Sequence, residues 1–443
     1  MSTAATQREL PHVLGPADTG YDDARAVWNA MFDRRPREIW RCRDASDVAA
    51  AVARARAQDL EVGVRCGGHS MAGHCVPADG LMIDLTPMGD VRVDPQRRLA
   101  RVQGGALLRS LDVASQAHGL ATTAGNVSHT GVGGLTLGGG MGWLARQHGL
   151  ACDNVISFEV VTADGESVRA SSDENPELYW GLRGGGGNFG VVTEFEFELH
   201  PTGTRALSVE LDFPVPDAAP AMSAWRDLAA TAPRAATYAA MVTGGVVTLG
   251  LVWVGDPDAG REHARALSAL GRPSAERLLE LAYLELQSRE DAIRGHTFRS
   301  YVKGHYLGEL SDAAIEAFLA HDPHVGASLQ AYGGAIADVA DEATAFSHRA
   351  TAFEYVGATR WTDPAEDEER KALVREGAAR VGPFASGAYV NTLSDDGLNG
   401  VQRAYPPAKL ARLRALKDRW DPDNVFHLNQ NIPPTRATSR APG

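Results

Sequence analysis

The sequence has few of the features that mark membrane, extracellular or nucleic-acid-binding proteins. No apolar run approaches the roughly eighteen residues of a membrane-spanning helix, and Met1–Leu10 lacks the basic-then-apolar layout of a signal peptide. The four cysteines, at 42, 66, 75 and 152, form neither a C-x-x-C pair nor a zinc-ligand spacing. Lysine and arginine number 43 against 56 acidic residues, a net charge of −13, whereas nucleic acid is held mainly by basic side chains. These absences predict a cytoplasmic protein with free thiols, without a metal site and without a nucleic-acid or membrane partner.

Glycine, by contrast, is abundant, and two segments are especially rich in it. A turn between the strand-like segments 60–64 and 81–85 contains an adjacent glycine pair and reads Arg65-Cys66-Gly67-Gly68-His69-Ser70. The second segment, residues 125–143, has eight glycines in nineteen positions. Because each glycine costs roughly 0.5–1 kcal/mol in a helix or strand, this segment predicts neither element. It predicts a backbone that closely approaches a large, flat, phosphorylated ligand, with a tight packing contact as the alternative.

Several motifs in a fixed order carry a resemblance to a known family. Arg-x-Gly-Gly-His at 65–69 is followed by Gly-Val-Gly-Gly-x-x-x-Gly-Gly-Gly-x-Gly at 131–142, by the segments 149–155 and 177–193, and by Asp-Pro-Asp-Asn-Val-Phe at 421–426. Together with Asn-Gln-Asn-Ile-Pro-Pro at 429–434, this series resembles the FAD-linked oxidases of the vanillyl-alcohol-oxidase superfamily. It is most similar to the berberine-bridge-enzyme-like branch, and the match spans nearly the whole chain.

The resemblance implies an α+β fold in two domains, as the length of 443 residues also predicts. Residues 1–201 are expected to form a two-part FAD-binding domain of the vanillyl-alcohol-oxidase type, to which residues 386–443 return. Residues 202–385 are expected to form the substrate-binding domain, an antiparallel sheet covered by helices.

The resemblance assigns His69 the covalent bond to the 8α-methyl carbon of the flavin. A neutral imidazole can attack that carbon once the ring is in its electrophilic tautomer. Some family members make a second link through a cysteine at the position of Val127, but no cysteine lies between residues 76 and 151. A single histidyl-FAD is therefore expected.

The resemblance also implies other cofactor contacts, most of them from the backbone. Gly67, Gly68 and Ser70 are expected at the diphosphate, Val192 at the adenine half and Asn391 at the pyrimidine edge of the ring. Relatives often have a tyrosine after that asparagine, where this chain has Thr392. The remaining expected contacts come from both glycine-rich segments and the tail: Arg65, Cys66, Gly125, Gly131, Gly134, Leu135, Gly138, Gly139 and Asn429. Cys66 is interpreted as a small side chain that fills the turn, because no general base lies next to it in the sequence.

Catalysis needs hydride transfer to the flavin and, for an alcohol, a base whose contribution is roughly 100- to 10,000-fold. Tyr389 is the first candidate, although its pKa, ordinarily about 10, would have to fall. Glu354, on a strand-like run, is the second candidate. Thr130 is expected near the redox-active centre, where a small side chain suits dioxygen access. His348-Arg349 resembles a family element but could equally be solvated or cap a helix.

The function implied is that of an FAD-dependent oxidase. It would take a hydride from a small or medium-sized organic substrate, such as a secondary-metabolite-like alcohol, amine or activated C–H compound, and give hydrogen peroxide from dioxygen. A carbohydrate (hemiacetal) oxidase, a dehydrogenase with another acceptor and a catalytically silent flavin carrier remain alternatives. A monomer or a homodimer is expected.

Local patterns predict individual elements. Ser46-Asp47 is expected to cap one helix, Asp256-Pro257 to start another, and 312–319 to form a third, while Gly244-Gly245 marks a hairpin. Residues 185–190 match G-x-G-x-x-G by letter, but a helix-like segment precedes them and the alternating strand 191–199 follows. That order is the reverse of a Rossmann loop and argues against a nicotinamide dinucleotide. Residues 434–443 are expected to be a loose end.

Overall fold

The chain folds into several β-sheets with helices packed against them. A computed structural model describes residues 12–291 and 295–436. Two of the sequence predictions fall outside the described residues. One is that Met1–Leu10 is not a signal peptide, and the other concerns the last seven residues of the expected loose end. Within the described ranges, every helix is too short or too polar to span a bilayer.

The strands, in chain order, are β1 (His12–Leu14), β2 (Glu38–Arg41), β3 (Val62–Arg65), β4 (Leu81–Asp84), β5 (Val91–Asp94), β6 (Leu99–Gln103), β7 (Leu120–Ala121), β8 (Val155–Val161), β9 (Ser167–Ser171), β10 (Val191–Glu198), β11 (His200–Pro201), β12 (Arg205–Pro214), β13 (Ala236–Thr243), β14 (Val246–Val254), β15 (Ala275–Ala282), β16 (Arg299–Leu307), β17 (Gly326–Ala331), β18 (Phe353–Trp361) and β19 (Ala385–Gly387). The α-helices are α1 (Tyr21–Arg25), α2 (Ala45–Ala57), α3 (Leu108–Gln116), α4 (Val132–Leu137), α5 (Ala145–His148), α6 (Pro176–Leu182), α7 (Ala218–Ala230), α8 (Pro257–Ser268), α9 (Tyr283–Gln287), α10 (Asp312–Leu319), α11 (Ala335–Asp338), α12 (Asp367–Val381), α13 (Gly397–Ala404) and α14 (Pro407–Trp420).

The first sheet has the order β1-β2-β4-β3, and β4 runs parallel to both β2 and β3. Helix α2 packs against β4, but its cap differs from the prediction. Asp44, not Ser46-Asp47, caps the helix, because its carboxylate accepts hydrogen bonds from the backbone N–H groups of Ser46 and Asp47. The Asp47 carboxylate instead accepts from Arg43.

The second sheet has the order β5-β6-β10-β8-β9 and is antiparallel throughout. Helix α6 precedes residues 185–190 and β10 follows them, as the sequence predicts. The loop therefore leads from a helix into an antiparallel strand, so the rejection of a Rossmann loop is confirmed.

The third sheet is antiparallel with the order β15-β12-β14-β13-β17-β18-β16-β19. Helices α7, α8, α10 and α12 cover one face, where Leu307, Leu329 and Tyr355 are buried. On the opposite face, Tyr306 packs into the core formed with the second sheet and the glycine-rich segments. The α+β class is confirmed, as are the hairpin at 244–245 and the helices starting at 257 and 312. The domain boundaries stay a prediction.

The prediction that residues 125–143 contain no helix was wrong. Helix α4 includes Gly133 and Gly134. It forms because Val132 and Leu137 are buried in the core and the Val132 N–H donates to Ala106 O over 2.9 Å. Tertiary packing of an apolar face here outweighs the weak helix propensity of glycine.

Helix α14 is tied to the rest of the molecule by a buried ion pair. The Lys417 ammonium donates to Asp421 Oδ2 at 2.7 Å, to Asn188 O at 2.8 Å and to Phe426 O at 3.0 Å. Neither charged side chain is exposed to solvent. The pair therefore joins the tail to the loop that precedes β10.

Replacing Lys417 with methionine is expected to destabilise the protein by about 3–5 kcal/mol, because it leaves the Asp421 carboxylate buried without its cation. Denaturant unfolding followed by fluorescence measures the change. Lys371→Met is the control: its partner Glu368 is largely exposed, and such pairs contribute about 0–1 kcal/mol. Equal shifts in the two variants would contradict the prediction.

Candidate active site

The two glycine-rich segments meet backbone to backbone. A Cβ atom at Gly67 would lie 2.3 Å from Gly131 N, and one at Gly131 would lie 2.4 Å from Gly67 N. Gly68, with φ of 70°, takes the left-handed conformation that turns the chain toward His69. By contrast, a Cβ at Gly134 would meet no atom within 4 Å, so open space lies beside α4. The close approach predicted from the glycines is thus in part an approach between the two segments.

His69 stands where these segments join. Its Nε2 lies 2.7 Å from His129 Nδ1, and its Nδ1 lies 3.5 Å from Thr130 Oγ1. The indole of Trp28 stacks on the imidazole with the ring centroids 5.6 Å apart. Burial, with a smaller contribution from His129, lowers the pKa of His69 to about 3. The imidazole is therefore neutral near pH 7, which is the state that can act as a nucleophile.

Two residues in the connection between β15 and β16 form hydrogen bonds with the second glycine-rich segment. The Asp291 carboxylate accepts from Ser128 N at 3.0 Å and from Ser128 Oγ at 2.5 Å. Gln287, at the end of α9, donates to Gly125 O at 3.1 Å and to Asp112 Oδ2 at 3.3 Å. These contacts hold the segment at Gly125 and at Ser128, the residue directly before His129.

A buried carboxyl group lies on the face of the third sheet opposite the helices. Glu354 of β18 is directly opposite Tyr306 of β16 in the strand register, and the Tyr332 hydroxyl donates to Glu354 Oε2 at 2.8 Å. Glu354 is 6% exposed, and this burial raises the pKa of its carboxyl to about 7. A group with that pKa is partly ionised at neutral pH and can accept a proton.

Tyr389 connects this face to the second glycine-rich segment. Its hydroxyl oxygen accepts from Gly140 N and from Asn391 Nδ2, each at 2.8 Å, and its ring lies against Tyr306 and Phe346. Burial raises the pKa of Tyr389. That direction is opposite to the one a catalytic base would need.

The residues around this space fit a flavin cofactor. Within the described part of the chain, several buried polar atoms lack a protein partner, among them Arg65 Nε, Asn126 Oδ1, His129 Nε2 and Asn429 Oδ1. FAD carries ring, ribityl and phosphate groups that can pair with both donors and acceptors. The open space beside Gly134 adjoins the same segment.

Comparison with known proteins identifies the family. Residues 36–171 match a model described as FAD binding domain, and residues 388–433 match one described as berberine and berberine like. The (R)-6-hydroxynicotine oxidase of Paenarthrobacter nicotinovorans is 30% identical over an alignment 457 residues long, gaps included, which covers 95% of this chain and 96% of the relative. The chain is a berberine-bridge-enzyme-like FAD-linked oxidoreductase. It belongs to the vanillyl-alcohol-oxidase superfamily, and the predicted cofactor, FAD, is confirmed.

Solved structures of this superfamily share the fold of the oxidoreductase over nearly its whole length. The crystal structure of 6-hydroxy-D-nicotine oxidase from Arthrobacter nicotinovorans gives a TM-score of 0.87 at 27% identity and covers 97% of this chain and 99% of its own. Xylooligosaccharide oxidase from Myceliophthora thermophila C1, in complex with xylobiose, also gives 0.87, at 24% identity, with 96% and 97% covered.

The predicted site residues of the oxidoreductase fall into two groups and a few outliers. Around His69 lie Arg65, Cys66, Gly67, Gly68, Thr130 and Gly131, and around Tyr389 lie Leu135, Gly138, Gly139 and Asn391. The others are placed by different contacts: Ser70 Oγ accepts from His74 N, Gly125 binds Gln287, Val192 packs against Gly104, and Asn429 donates to Gly187 O. Their roles as cofactor contacts stay predictions.

Two polar residues of the first turn are already occupied by protein contacts. The Arg65 guanidinium donates to Ala24 O and Ala26 O. The Cys66 thiol donates to Ala106 O at 3.4 Å, and burial raises its pKa to about 11. A protonated, packed thiol agrees with the interpretation of Cys66 as a filler of the turn. Among the described residues, no three His, Cys, Asp or Glu side chains are arranged to hold a metal ion.

Arg349 is neither solvated nor a helix cap. Its guanidinium donates to both oxygens of Asp153, at 2.6 and 2.7 Å, and to Thr344 Oγ1. His348 Nε2 lies 2.9 Å from Arg403 O. Both side chains therefore connect parts of the core. The Thr392 hydroxyl likewise donates to Tyr389 O at 2.9 Å.

The sequence did not identify four residues that complete the site: Tyr306, Tyr332, His129 and Asp291. His129 is the only histidine in the second glycine-rich segment, a signal that could have been noticed. Tyr306 and Tyr332 had no local signal, because only the register of β16, β17 and β18 brings them to Glu354.

Proposed function

We propose that this FAD-linked oxidoreductase is an oxidase that takes a hydride from a small or medium-sized organic substrate. The substrate is an alcohol, an amine or an activated C–H compound of the secondary-metabolite type, and dioxygen receives the electrons to give hydrogen peroxide. The observation that supports this best is the buried carboxyl of Glu354, oriented by Tyr332 on the sheet face that adjoins the glycine-rich segments. FAD is attached through His69 alone, since Val127 offers no second link.

Bound FAD supplies the hydride acceptor and the site of dioxygen reduction. Glu354 takes the proton that the substrate loses, and the Tyr332 hydroxyl fixes the orientation of its carboxylate. Tyr389 holds the Gly140 backbone and Asn391 in place. Tyr306, directly opposite Glu354 in the strand register, and Tyr332, hydrogen-bonded to it, keep water from the carboxyl group. Of the two candidate bases, the pKa directions favour Glu354 over Tyr389.

The aromatic lining supports a planar, largely apolar substrate. Tyr306 contacts Tyr332, Phe346 and Tyr389 through its ring, with centroids between 5.4 and 6.4 Å apart. The similar protein named (R)-6-hydroxynicotine oxidase supports a compound of this size.

A carbohydrate substrate is the second candidate. Gln330 is directly opposite Glu354 in the strand register, and its Nε2 is buried without a protein partner within the described residues. An amide donor beside the base suits a substrate hydroxyl. The fold shared with xylooligosaccharide oxidase is compatible with this alternative.

Absorbance before and after acid precipitation, followed by anaerobic mixing with a substrate panel, tests the proposal. The yellow colour is expected to stay with the precipitate, aromatic alcohols or amines are expected to bleach the flavin, and air is expected to restore it quickly with release of peroxide. Slow reoxidation in air would indicate a dehydrogenase, and bleaching by sugars alone would favour the carbohydrate alternative. A flavin that no compound reduces would contradict an enzymatic role.

The rate of flavin reduction is expected to rise with pH through about 7, the pKa of Glu354. Only the ionised carboxylate accepts a proton, so the rate should fall about tenfold for each pH unit below that value. Anaerobic stopped-flow at saturating substrate measures the profile. A rate that still rises at and above the ordinary tyrosine pKa of about 10 would instead assign the base to Tyr389, whose pKa is raised by burial.

A further inference from the structure

A second histidine touches the proposed flavin-linking histidine but has no part in the chemistry described so far. His129 Nδ1 lies 2.7 Å from His69 Nε2, and the two rings have centroids 4.8 Å apart. Its other nitrogen, Nε2, is buried and has no protein partner among the described residues. The contact joins two loops 60 residues apart in the chain.

The two nitrogens of His69 are not equivalent. Nε2 lies 2.7 Å from His129 Nδ1, whereas Nδ1 has a contact with Thr130 Oγ1 at 3.5 Å, the outer limit of a hydrogen bond. The tautomer with the proton on Nε2 donates that proton to His129 and leaves the Nδ1 lone pair free. This arrangement makes Nδ1 the nitrogen that can form a new bond.

A bond at Nδ1 would leave His69 positively charged unless the Nε2 proton departs. The surroundings of His69 disfavour that charge, since burial depresses the pKa of its imidazole. His129 is within reach of the proton, and the Asp291 carboxylate, held by Ser128 N and Oγ, provides negative charge nearby. Asp291 also acts electrostatically on His69 itself.

We infer that His129 is a positioning residue for flavin attachment, which sets the tautomer of His69 and accepts its Nε2 proton. The inference rests on the covalent link proposed above. His69 Nδ1 bonds to the 8α carbon, that carbon loses one C–H proton to solvent or to the ring, and the Nε2 proton passes to His129. The two electrons of the broken C–H bond remain on the flavin ring, and dioxygen then takes them as hydrogen peroxide. Ser128 and Asp291 hold His129 in place for this step.

The test is the rate of covalent attachment in the full chain. Protein expressed under riboflavin limitation is mixed with FAD in air, and samples over time are read as ultraviolet fluorescence on denaturing gels and as total bound flavin. His129→Ala is expected to bind FAD but to attach it about 100-fold more slowly than the unmodified chain, and His129→Asn, which keeps a hydrogen-bond acceptor but not a base, to be similarly slow. Added imidazole is expected to restore attachment in His129→Ala, a rescue that a purely structural role would not show.

The controls separate this inference from the covalent link itself. His321→Asn removes another partly buried histidine, bonded to Tyr355 at 2.6 Å on the helix-covered side of the third sheet, and should attach FAD at the normal rate. Attachment in His129→Ala at the normal rate, or slow attachment that imidazole leaves unchanged in a variant that binds FAD, would overturn the inference while leaving the His69 link intact. If His129→Ala does not bind FAD, the attachment rate of His129→Asn is the test instead, and a normal rate in that variant would overturn the inference. An unmodified chain with no covalent flavin would refute the link, and the inference with it.

Discussion

His69→Ala is expected to bind FAD without any covalent attachment. The yellow colour should move to the supernatant on acid precipitation, and the fluorescent band should disappear from denaturing gels. The backbone cradle of Gly67, Gly68 and Gly131 is unchanged by the substitution, so the cofactor can still bind. Only the neutral imidazole that could attack the 8α carbon is lost. Loss of the link should also make the flavin a weaker oxidant, which a lower reduction midpoint in dye titrations would record.

Cys66→Ser is the matched control for this change. The thiol lies three residues from His69 in the same turn, but it is protonated at neutral pH and packs against Ala106 O. The serine variant should keep its fluorescent band and its reduction midpoint. If the fluorescent band remains in His69→Ala, another residue carries the covalent link, and its assignment to His69 is contradicted.

Glu354→Gln is expected to lower the rate of flavin reduction by roughly 100- to 10,000-fold, the contribution of a positioned general base. Glutamine has the same shape, and its carbonyl oxygen can still accept the Tyr332 hydrogen bond, so KM should change little. Anaerobic stopped-flow with the best substrate of the panel measures the rate. The remaining activity should no longer change across neutral pH.

Stability measurements separate this effect from misfolding. The folded-state pKa of Glu354 is raised above its ordinary value of 4.5, so the fold favours the protonated form; the free energy of unfolding falls as pH rises from about 4.5 to about 7, and above that it stays at its lowered value. Glutamine cannot ionise, and the variant should therefore unfold at no lower temperature than the unmodified chain at alkaline pH. Tyr389→Phe is the companion variant. If it alone abolishes reduction while Glu354→Gln does not, Tyr389 is the base.

Elements with strong local signals were predicted correctly. The hairpin at Gly244-Gly245, the helix from 312 and strand β10 after residues 185–190 depend on turn chemistry, capping and two-residue alternation, all of which act over a few neighbouring residues. The helix inside the glycine-rich segment was missed because its stability comes from burial of Val132 and Leu137 rather than from propensity. The cap of α2 was misplaced because two acidic residues three positions apart compete for it, and their contacts with Arg43 and Ser46 decide between them.

The sequence alone determined the family, the cofactor and the position of the expected flavin link, because the motifs for backbone contact with FAD are contiguous and readable residue by residue. Tertiary structure alone brought His129 to His69 and placed Tyr306 and Tyr332 beside Glu354. These contacts join residues far apart in the chain, and they depend on how the loops cross and how the strands are registered. Tertiary structure also raised the pKa of Glu354 to about 7. A pKa follows from desolvation and from neighbouring charges, and neither can be read from a residue's position in the chain.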